Sequence, residues 1–473
     1  MTVRHLSPAD RSPERGTALI GVLLLLMLMS ALAAALAVSG RTETLVARNH
    51  VAAAQARMAA EAGLNHAAEV VISWILAWKS NGYTSVDQAL DVLLAGVAGN
   101  PDFLAGVTFG DDEDPIPIAG AADADYHVFL MDEDDPARDG YTNLDNAENN
   151  DATTDLNQTL VIQAVGYGPN GAIARLEAIV SPYKLPAIAV NGDLEINGNA
   201  NAVEVGSGST GGVHANGNLS LSGVVTGLDF QSIPPDASKG TATASGAYDD
   251  DGAVVSNPGG SGGAQAALDM PDINASDFRS WADIILEADG ALAVVNGPTQ
   301  SCVGPPANVC DSLGWRYSNS GGTVTWSMQN NNAEGPDGDG YTYYVEGHVD
   351  LVGGTAANSV TVTIIAEGSI SSSGGAFVTP HSSELLFVTD QDLNLSGNFQ
   401  VSLAEGQILV REQVSIQGAV GLMGQLVVQN ATDTPGSPVD QNVISTSSAA
   451  TTMINNTDIG SSLFRVSGWR EVR

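Results

Sequence analysis

VNGDLEING, at positions 190–198, is the first copy of a nine-residue pattern in which a short alternation of apolar and polar residues ends on a glycine. The closing glycines at 198 and 223, and then at 353, 374, 397 and 418, lie 21 to 25 residues apart within each group. Such a strand cannot bury its apolar face alone and must stack on the next copy. The repeats therefore predict a parallel β-helix. The other copies are ANGNLSLSG (215–223), VEGHVDLVG (345–353), AEGSISSSG (366–374), and the degenerate TDQDLNLSG (389–397) and REQVSIQGA (411–419).

The apolar residues within each copy are expected to point into this coil, because side chains alternate between the two faces of a strand. An antiparallel β-sandwich is the structural alternative, since it also uses short strands and frequent turns. The expected inward residues are Leu194, Ile196, Leu219, Leu221, Val349, Leu351, Ile370, Leu393, Leu395, Val414 and Ile416.

The run TALIGVLLLLMLMSALAAALAVS, at 17–39, contains no charged residue and is long enough to cross a bilayer as one helix. A secretory signal cleaved after Ala37 is the alternative, although its apolar region would be shorter. Residues 41–78 contain no proline, so the helix is expected to continue into the aqueous phase. A stripe of small residues along it either packs against other helices or covers the adjoining domain. The stripe is Leu45, Ala52, Ala56, Ala59, Gly63 and Ala67.

The net charge is −37, from 17 basic and 54 acidic residues. A chain this acidic cannot neutralise a phosphate backbone, which excludes nonspecific nucleic-acid binding. Cys302 and Cys310 are the only cysteines, and their close spacing predicts a disulfide made in an oxidising compartment. Two unpaired thiols are the alternative. The disulfide and the apolar run together place the bulk of the chain outside the cytoplasm.

Residues 80–155 are rich in Asp and Glu, which are ligands that Ca²⁺ prefers. Asp132, Asp134 and Asp139 are the candidate calcium ligands, but their spacing departs from that of an EF-hand loop, so solvated acidic loops are the alternative. No other cofactor is expected. Residues 159–180 are then typical of a hairpin, with two alternating strands joined by the turn GPNG (168–171).

The pattern of copies lapses between 236 and 343. Residues 271–286 are typical of a capped helix that could cover an apolar flank of the coil. The disulfide loop follows, together with Trp315 and Trp326, which are either exposed anchors for a surface or carbohydrate ligand or ordinary core residues. The aromatic, basic C-terminal stretch 463–473 is interpreted as a cap on the last rung.

Four short motifs carry a resemblance to a known family. They are Arg15-Gly16, Arg41-Thr-Glu-Thr44, Arg48-Asn49 and Met58-Ala-Ala-Glu-Ala-Gly-Leu64. Together they resemble the N-terminal region of PilX-type minor pilins of type IV pilus systems, and the GPNG turn and the C-terminal stretch resemble segments of long PilX-like proteins.

The resemblance implies that a prepilin peptidase cuts after Gly16, leaving Thr17 as the first mature residue. It also implies that the apolar helix packs among the helices of other pilins or pseudopilins. Major pilins have an aromatic first residue and Glu at the fifth position, whereas this chain has Thr17 and Gly21. The lack of Glu is shared with PilX-like proteins and with the tip pseudopilin of type II secretion, and it implies a rare or tip position.

The expected fold class is therefore α+β: a long N-terminal transmembrane helix with a small pilin-like antiparallel sheet, followed by the mainly-β domain. The predicted divisions are a leader (1–16), the transmembrane and extended helix (17–79), an acidic pilin-like domain (80–186), the first rungs (187–235), the loop, helix and disulfide insertion (236–343), and the second rungs with the C-terminal cap (344–473).

No motif predicts catalysis. GSGSTG (206–211) precedes a strand-like segment where a dinucleotide site needs a helix, and GGSGG (259–263) lacks the strand that leads into a nucleophile elbow. The predicted function is a non-enzymatic minor-pilin subunit of the inner membrane, with its bulk in the periplasm or at the cell surface on a pilus tip. The alternatives are a membrane-tethered adhesin outside any pilus and a surface polysaccharide hydrolase.

Overall fold

The computed structural model describes most of the chain in separate ranges. They are residues 14–76, 86–99, 115–118, 120, 124–132, 159–182, 185–205, 212–222, 241–249, 261–295, 297–303, 310, 314–328, 333, 339–353, 359–381, 385–397, 399–401, 406–418, 421–423, 425–434, 439–456 and 464–472. Leader residues 1–13 lie outside them.

One long helix, α1 (Glu14–Leu76), runs from the apolar segment into the folded part of the protein. A second helix, α2 (Val86–Gly99), packs beside its C-terminal half. The residues of α1 from Leu19 to Val51 are exposed, and Ala52 is the first buried one after them. The buried stripe confirms the expectation that this face covers the adjoining domain, although Leu45 itself is exposed. Its predicted members Ala52, Ala56, Ala59, Gly63 and Ala67 are buried, together with Ala60, Leu64, Ala68, Val71 and Ile75.

The stripe covers an antiparallel sheet whose central strands form the predicted hairpin. The first four strands are β1 (Ile116–Pro117), β2 (Asp125–Asp132), β3 (Leu160–Gly168) and β4 (Ala172–Pro182). The turn between β3 and β4 is a single 3₁₀ turn, Pro169–Gly171. Asn170 and Gly171 both have left-handed backbone angles there, which explains the choice of Asn and Gly.

Most of the described strands from Ile188 to Asn456 stack as parallel rungs, which confirms the predicted parallel β-helix. Adjacent copies pair in parallel and in register: Val349 lies beside Ile370, and Ile370 beside Leu393. All the predicted inward residues are buried in one core. The β-sandwich alternative is wrong, because its sheets would be antiparallel.

The rungs before the insertion comprise β5 (Ile188–Val190), β6 (Leu194–Val205), β7 (Gly212–Ala215), β8 (Leu219–Ser222), β9 (Thr241–Ala244), β10 (Tyr248–Asp249) and β11 (Ser261–Gly262). The insertion supplies β12 (Ile284–Leu286), β13 (Ala291–Val294), β14 (Thr299–Ser301), β15 (Trp315–Ser320) and β16 (Thr323–Met328). The later rungs are β17 (Tyr341–Val345), β18 (His348–Gly353), β19 (Val360–Ala366), β20 (Ile370–Thr379), β21 (Leu385–Thr389), β22 (Leu393–Gly397), β23 (Phe399–Val401), β24 (Gln407–Val410), β25 (Val414–Gly418), β26 (Gly421–Met423), β27 (Leu426–Val428) and β28 (Val443–Asn456).

The two groups of rungs form one coil, but their order in space differs from their order in the chain. The last rung stacks on the first: β27 pairs in parallel with β5, and β28 pairs in parallel with β6. The coil therefore begins in space with the later rungs and continues through the earlier ones.

A connecting segment, residues 263–283, runs back along the outside of the coil and joins its two ends. We call it the strap. The side chains of successive rungs hold it, because Asn216 bonds to Leu268, Gln429 to Ile273, and Asp390 to the backbone N–H of Ala275. At its far end Arg279 of the strap forms an ion pair with Glu346, with 2.8 Å between Nη2 and Oε1.

The predicted helix at 271–286 is shorter than expected. A 3₁₀ helix spans Ala275–Trp281, no side chain caps it, and β12 follows at once as a strand. Its buried residues Phe278 and Trp281 lie in a core with Val388 and Leu409 from the outer face of the rungs. It covers an apolar flank of the coil, as predicted. The same core includes Leu64 of α1, so the coil and the helix and sheet pack as one body.

The disulfide between Cys302 and Cys310 is present, with 5.5 Å between the Cα atoms. Trp315 and Trp326 are both fully buried in the core of the coil, beside Tyr343 and Tyr317 respectively. The expectation that these rings are exposed anchors is wrong, because each belongs to a strand of an antiparallel hairpin that turns its aromatic residues inward.

The C-terminal strand β29 (Phe464–Val472) does not cap a rung. It pairs with β4 in the antiparallel sheet, with Phe464 opposite Pro182, so the strand order is β1-β2-β3-β4-β29. The physical reason is the stacking of the last rung on the first, which brings the end of the coil back to its starting point beside β4. The coil is consequently joined to the sheet by two stretches of chain.

Candidate functional site

The N-terminal half of α1 is an apolar surface that nothing in the described structure covers. Its large apolar side chains between Leu19 and Val51 are 49 to 70% exposed. An 18-residue window of the helix has a mean hydropathy of 2.7, and none of that window is buried. From Leu19 to Gly40, at ~1.5 Å per residue, the segment is about 33 Å long, enough to cross the ~30 Å hydrocarbon layer.

Apolar residues occur on every side of this segment, with no charged residue from Leu19 to Gly40. A helix that is apolar all round is stable only when surrounded by lipid or by other helices. Burying one exposed Leu contributes ~1.5–3 kcal/mol, so the segment as a whole carries a large driving force for insertion or assembly. The helix is long and apolar enough to anchor the protein in a membrane.

Two glycines of β3 hold the other half of α1 unusually close to the sheet. A Cβ on Gly166 would lie 2.1 Å from the carbonyl oxygen of Ala56, and one on Gly168 would lie 2.5 Å from that of Ala52. Only glycine permits such an approach between a strand and a helix backbone. The contact fixes the direction in which the apolar segment leaves the body.

A cleft lies where α1 leaves the sheet. It has a volume of about 390 Å³ and is bounded by the exposed side of α1 and by the turn between β3 and β4. The lining residues are Thr44, Ala47, Arg48, Val51, Ala52, Gln55, Pro169 and Asn170. Sequence reasoning did not identify this cleft. The sequence signal is the pair of glycines before the turn, Gly166 and Gly168, and it indicates a close contact only once α1 is known to pack there.

The predicted processing site is within α1. The helix begins at Glu14, so the backbone at Gly16 and Thr17 is helical, while the side chains at these positions lie outside the described part. Cleavage after Gly16 stays a prediction. Downstream, the hydroxyls of Thr42 and Thr44 donate to the carbonyl oxygens of Val38 and Gly40 and so satisfy themselves within the helix.

The calcium prediction falls mostly outside the described residues. Asp132 ends β2, its side chain is not described, and Asp134 and Asp139 lie beyond the described ranges. Among the residues whose placement is given, no group of three or more His, Cys, Asp or Glu side chains is close enough to hold a metal ion.

Several ionisable side chains of the coil are partly buried by the stacking of rungs. Burial lowers the pKa of the His348 imidazole, whose Nδ1 accepts a hydrogen bond from the backbone N–H of Ser369. Burial raises the pKa of the Asp350 carboxyl, and it raises that of Asp390 although the N–H of Ala275 donates to the latter. Each of these residues has a structural partner or position in the rungs, and none is grouped into a catalytic arrangement within the described ranges.

Comparison with known proteins gives little further information. No protein-family model matches the chain, and no curated protein matches it. Among solved structures, the competence-associated pilin ComZ from Thermus thermophilus is similar over 89% of this chain and 97% of that chain, with 12% sequence identity and a TM-score of 0.26. A likeness at this TM-score carries no argument about this protein.

Proposed function

We propose that this protein is a minor-pilin-like structural subunit, which enters a type IV pilus or a related filament through its apolar helix and displays the β-helix as a head. The observation that carries the proposal is the continuous α1: one half is a bare apolar segment and the other half is packed on an antiparallel sheet. The exposed apolar half of the helix would join the filament, and the other half of the same helix carries the folded domain.

The strong negative charge of the head favours a tip or initiation position in the filament. Residues 80–473 carry 10 basic and 49 acidic side chains, so neighbouring heads would repel one another at low ionic strength. Gly21 has open space around it and offers no carboxylate to a neighbour. Both features disfavour repeated stacking of this subunit and favour a single copy with other pilins below it.

The role proposed is not catalytic. It places the apolar segment in the inner membrane before assembly, the head in the periplasm, and the assembled subunit at the cell surface. The partners would be other pilins or pseudopilins and a prepilin peptidase that cuts between Gly16 and Thr17. The head would bind a surface or carbohydrate ligand at the end of the filament.

Three measurements on the organism that makes this protein test the proposal. Intact-mass analysis of the membrane protein is expected to show a chain that begins at Thr17, and sheared filaments are expected to contain the protein. Retention of residues 1–16 together with absence from the filament fraction would contradict it and would leave a membrane-tethered module. Deletion of the gene should lower the number of filaments.

A further inference from the structure

The cleft beside Arg48 lies between two segments whose backbones the fold holds in place. One wall is the helix backbone held against Gly168, and the other is the turn at Pro169–Gly171. The left-handed angles at Asn170 and Gly171 fix that turn tightly. A cleft with two backbone walls is formed before any partner arrives, which lowers the entropic cost of binding.

The cleft combines an apolar surface with one cation. Ala47 and Val51 are exposed along it, and the Arg48 guanidinium has no ion pair among the described residues, in contrast to Arg57, which is paired with Glu61 at 3.1 Å. An occupant that fits is therefore apolar and carries a carboxylate opposite Arg48.

Lipid headgroups do not reach this position. Arg48 lies eight residues beyond Gly40, or about 12 Å at ~1.5 Å per residue. The headgroup layer adds only ~5–8 Å to each side of the hydrocarbon core. With the apolar segment in a bilayer, the cleft lies above the lipid phosphates and faces the partners of the assembled state.

A second copy of this chain is a poor occupant. Its own apolar segment has no acidic residue from Thr17 to Thr42, so it offers nothing to Arg48. Two copies would also bring together two chains of charge −37 each. Exposed apolar side chains extend from Leu19 to Val38 and occur again at Leu45, Val46 and Val51, so a neighbouring helix that lies along α1 can reach the cleft.

We infer that the cleft seats an α-helix from a different subunit of the filament, an apolar helix with an Asp or Glu that pairs with Arg48. The inference rests on the proposed function and adds a partner to it. The turn Pro169–Gly171 then belongs to the assembly interface, and Arg48 selects a helix that carries a carboxylate over a neutral one.

A matched pair of substitutions tests it in the full-length protein. Ala47→Phe fills the cleft, and Ala53→Phe places the same ring on an exposed position on the far side of the helix, about 170° from the centre of the cleft lining at ~100° per residue. Recovery in sheared filaments, normalised to the amount in membranes, is expected to fall at least fivefold for Ala47→Phe and to stay within twofold of wild type for Ala53→Phe. Equal recovery of the two variants would overturn the inference.

A second pair of substitutions changes the charge at Arg48, which is exposed, so the fold should stay intact. Arg48→Glu is expected to lower recovery at least fivefold and Arg48→Lys less than twofold, because only the first opposes a carboxylate. Recovery that is unchanged in Arg48→Glu would refute the ion pair. If wild-type protein is itself absent from filaments, the proposed function fails, and the inference falls with it for a reason separate from these variants.

The occupant is identified by a photo-crosslinking amino acid at position 47 in assembled filaments. A product with a different helix-bearing filament subunit, attached through an apolar segment that contains Asp or Glu, supports the inference. A product with the mass of two copies of this chain, or a lipid adduct, overturns it.

Discussion

Replacing Gly166 by alanine tests whether the backbone contact between β3 and α1 sets the position of the apolar helix. The added Cβ would lie 2.1 Å from the Ala56 carbonyl oxygen and 2.3 Å from the Ala60 nitrogen, both of them backbone atoms. Ordinary contacts at a Cβ are 3.4 Å or more. The helix would have to retreat by about 1 Å, because no side chain there can rotate away.

Overpacking of a well-packed core costs ~1–3 kcal/mol, and a clash with backbone belongs at the upper end. Unfolding entropy is ~2.1 cal/mol/K per residue, so 1 kcal/mol shifts the melting temperature of a folded body of roughly 400 residues by about 1 °C, and we expect Gly166→Ala to lower it by about 3 °C. The measurement is thermal unfolding of the full-length protein in detergent, followed by circular dichroism.

Gly40→Ala is the control for this prediction. A Cβ added at Gly40 would meet no atom within 4 Å, and alanine favours a helix over glycine by ~1 kcal/mol, so the melting temperature of this variant should be equal to or above that of wild type. If Gly166→Ala melts within 1 °C of wild type, the helix is free to move on the sheet and the reasoning is refuted.

Three further predictions concern the coil and its closure. Leu395→Ala removes a fully buried inward side chain and should cost ~2–5 kcal/mol in chemical denaturation, whereas exposed Gln417→Ala should stay within ~0.5 kcal/mol; equal effects would contradict the assigned inward face. Burial lowers the pKa of His348, so on acidification the unfolded state takes up this proton at a higher pH than the folded state does. The contribution of neutral His348 to stability is full above pH ~6.5 and is lost as the pH falls toward the folded pKa. In urea titrations, His348→Gln should therefore lose less stability between pH 7 and pH 5 than wild type loses. An unchanged pH dependence would assign the loss to other groups. Removal of residues 464–473 should expose the edge of β4. In hydrogen exchange, protection should fall at the amides between Arg175 and Pro182 that face β29, while the β4 amides bonded to β3 and rungs such as Val414–Gly418 stay protected. Loss confined to the rungs would restore the capping interpretation.

The rungs could be predicted from the sequence because their signal is local. Alternation of apolar residues and a closing glycine recur within nine residues, and stacking is the only way to bury such strands, so residues such as Leu194 and Ile416 could be assigned to the core. The apolar helix and the hairpin were equally visible, since each depends on a single uninterrupted pattern.

The order of the rungs in space could not be predicted, because no local pattern distinguishes a rung that stacks on its chain neighbour from one that stacks on a distant copy. The same limit explains the wrong interpretation of Phe464–Val472, whose alternation fits any sheet edge. Trp315 and Trp326 are ambiguous for a different reason: an isolated Trp serves equally as an anchor or as core, and only its pairing in a hairpin decides. The cleft at Arg48 joins two segments about 120 residues apart, so it had no sequence signature.

The seam between the last rung and the first has a consequence for biosynthesis. Asn442 donates to the carbonyl oxygen of Asp193, and these two residues are 249 positions apart. A nascent chain cannot make this bond until Asn442 has been synthesised, or the β4 to β29 pairing until Phe464–Val472 has been, so the backbone groups on one side of the first rung stay unpaired until then. Open strand edges of that kind invite association with other chains. Shielding of the early rungs until the last rung has been synthesised would therefore lower the risk of such association.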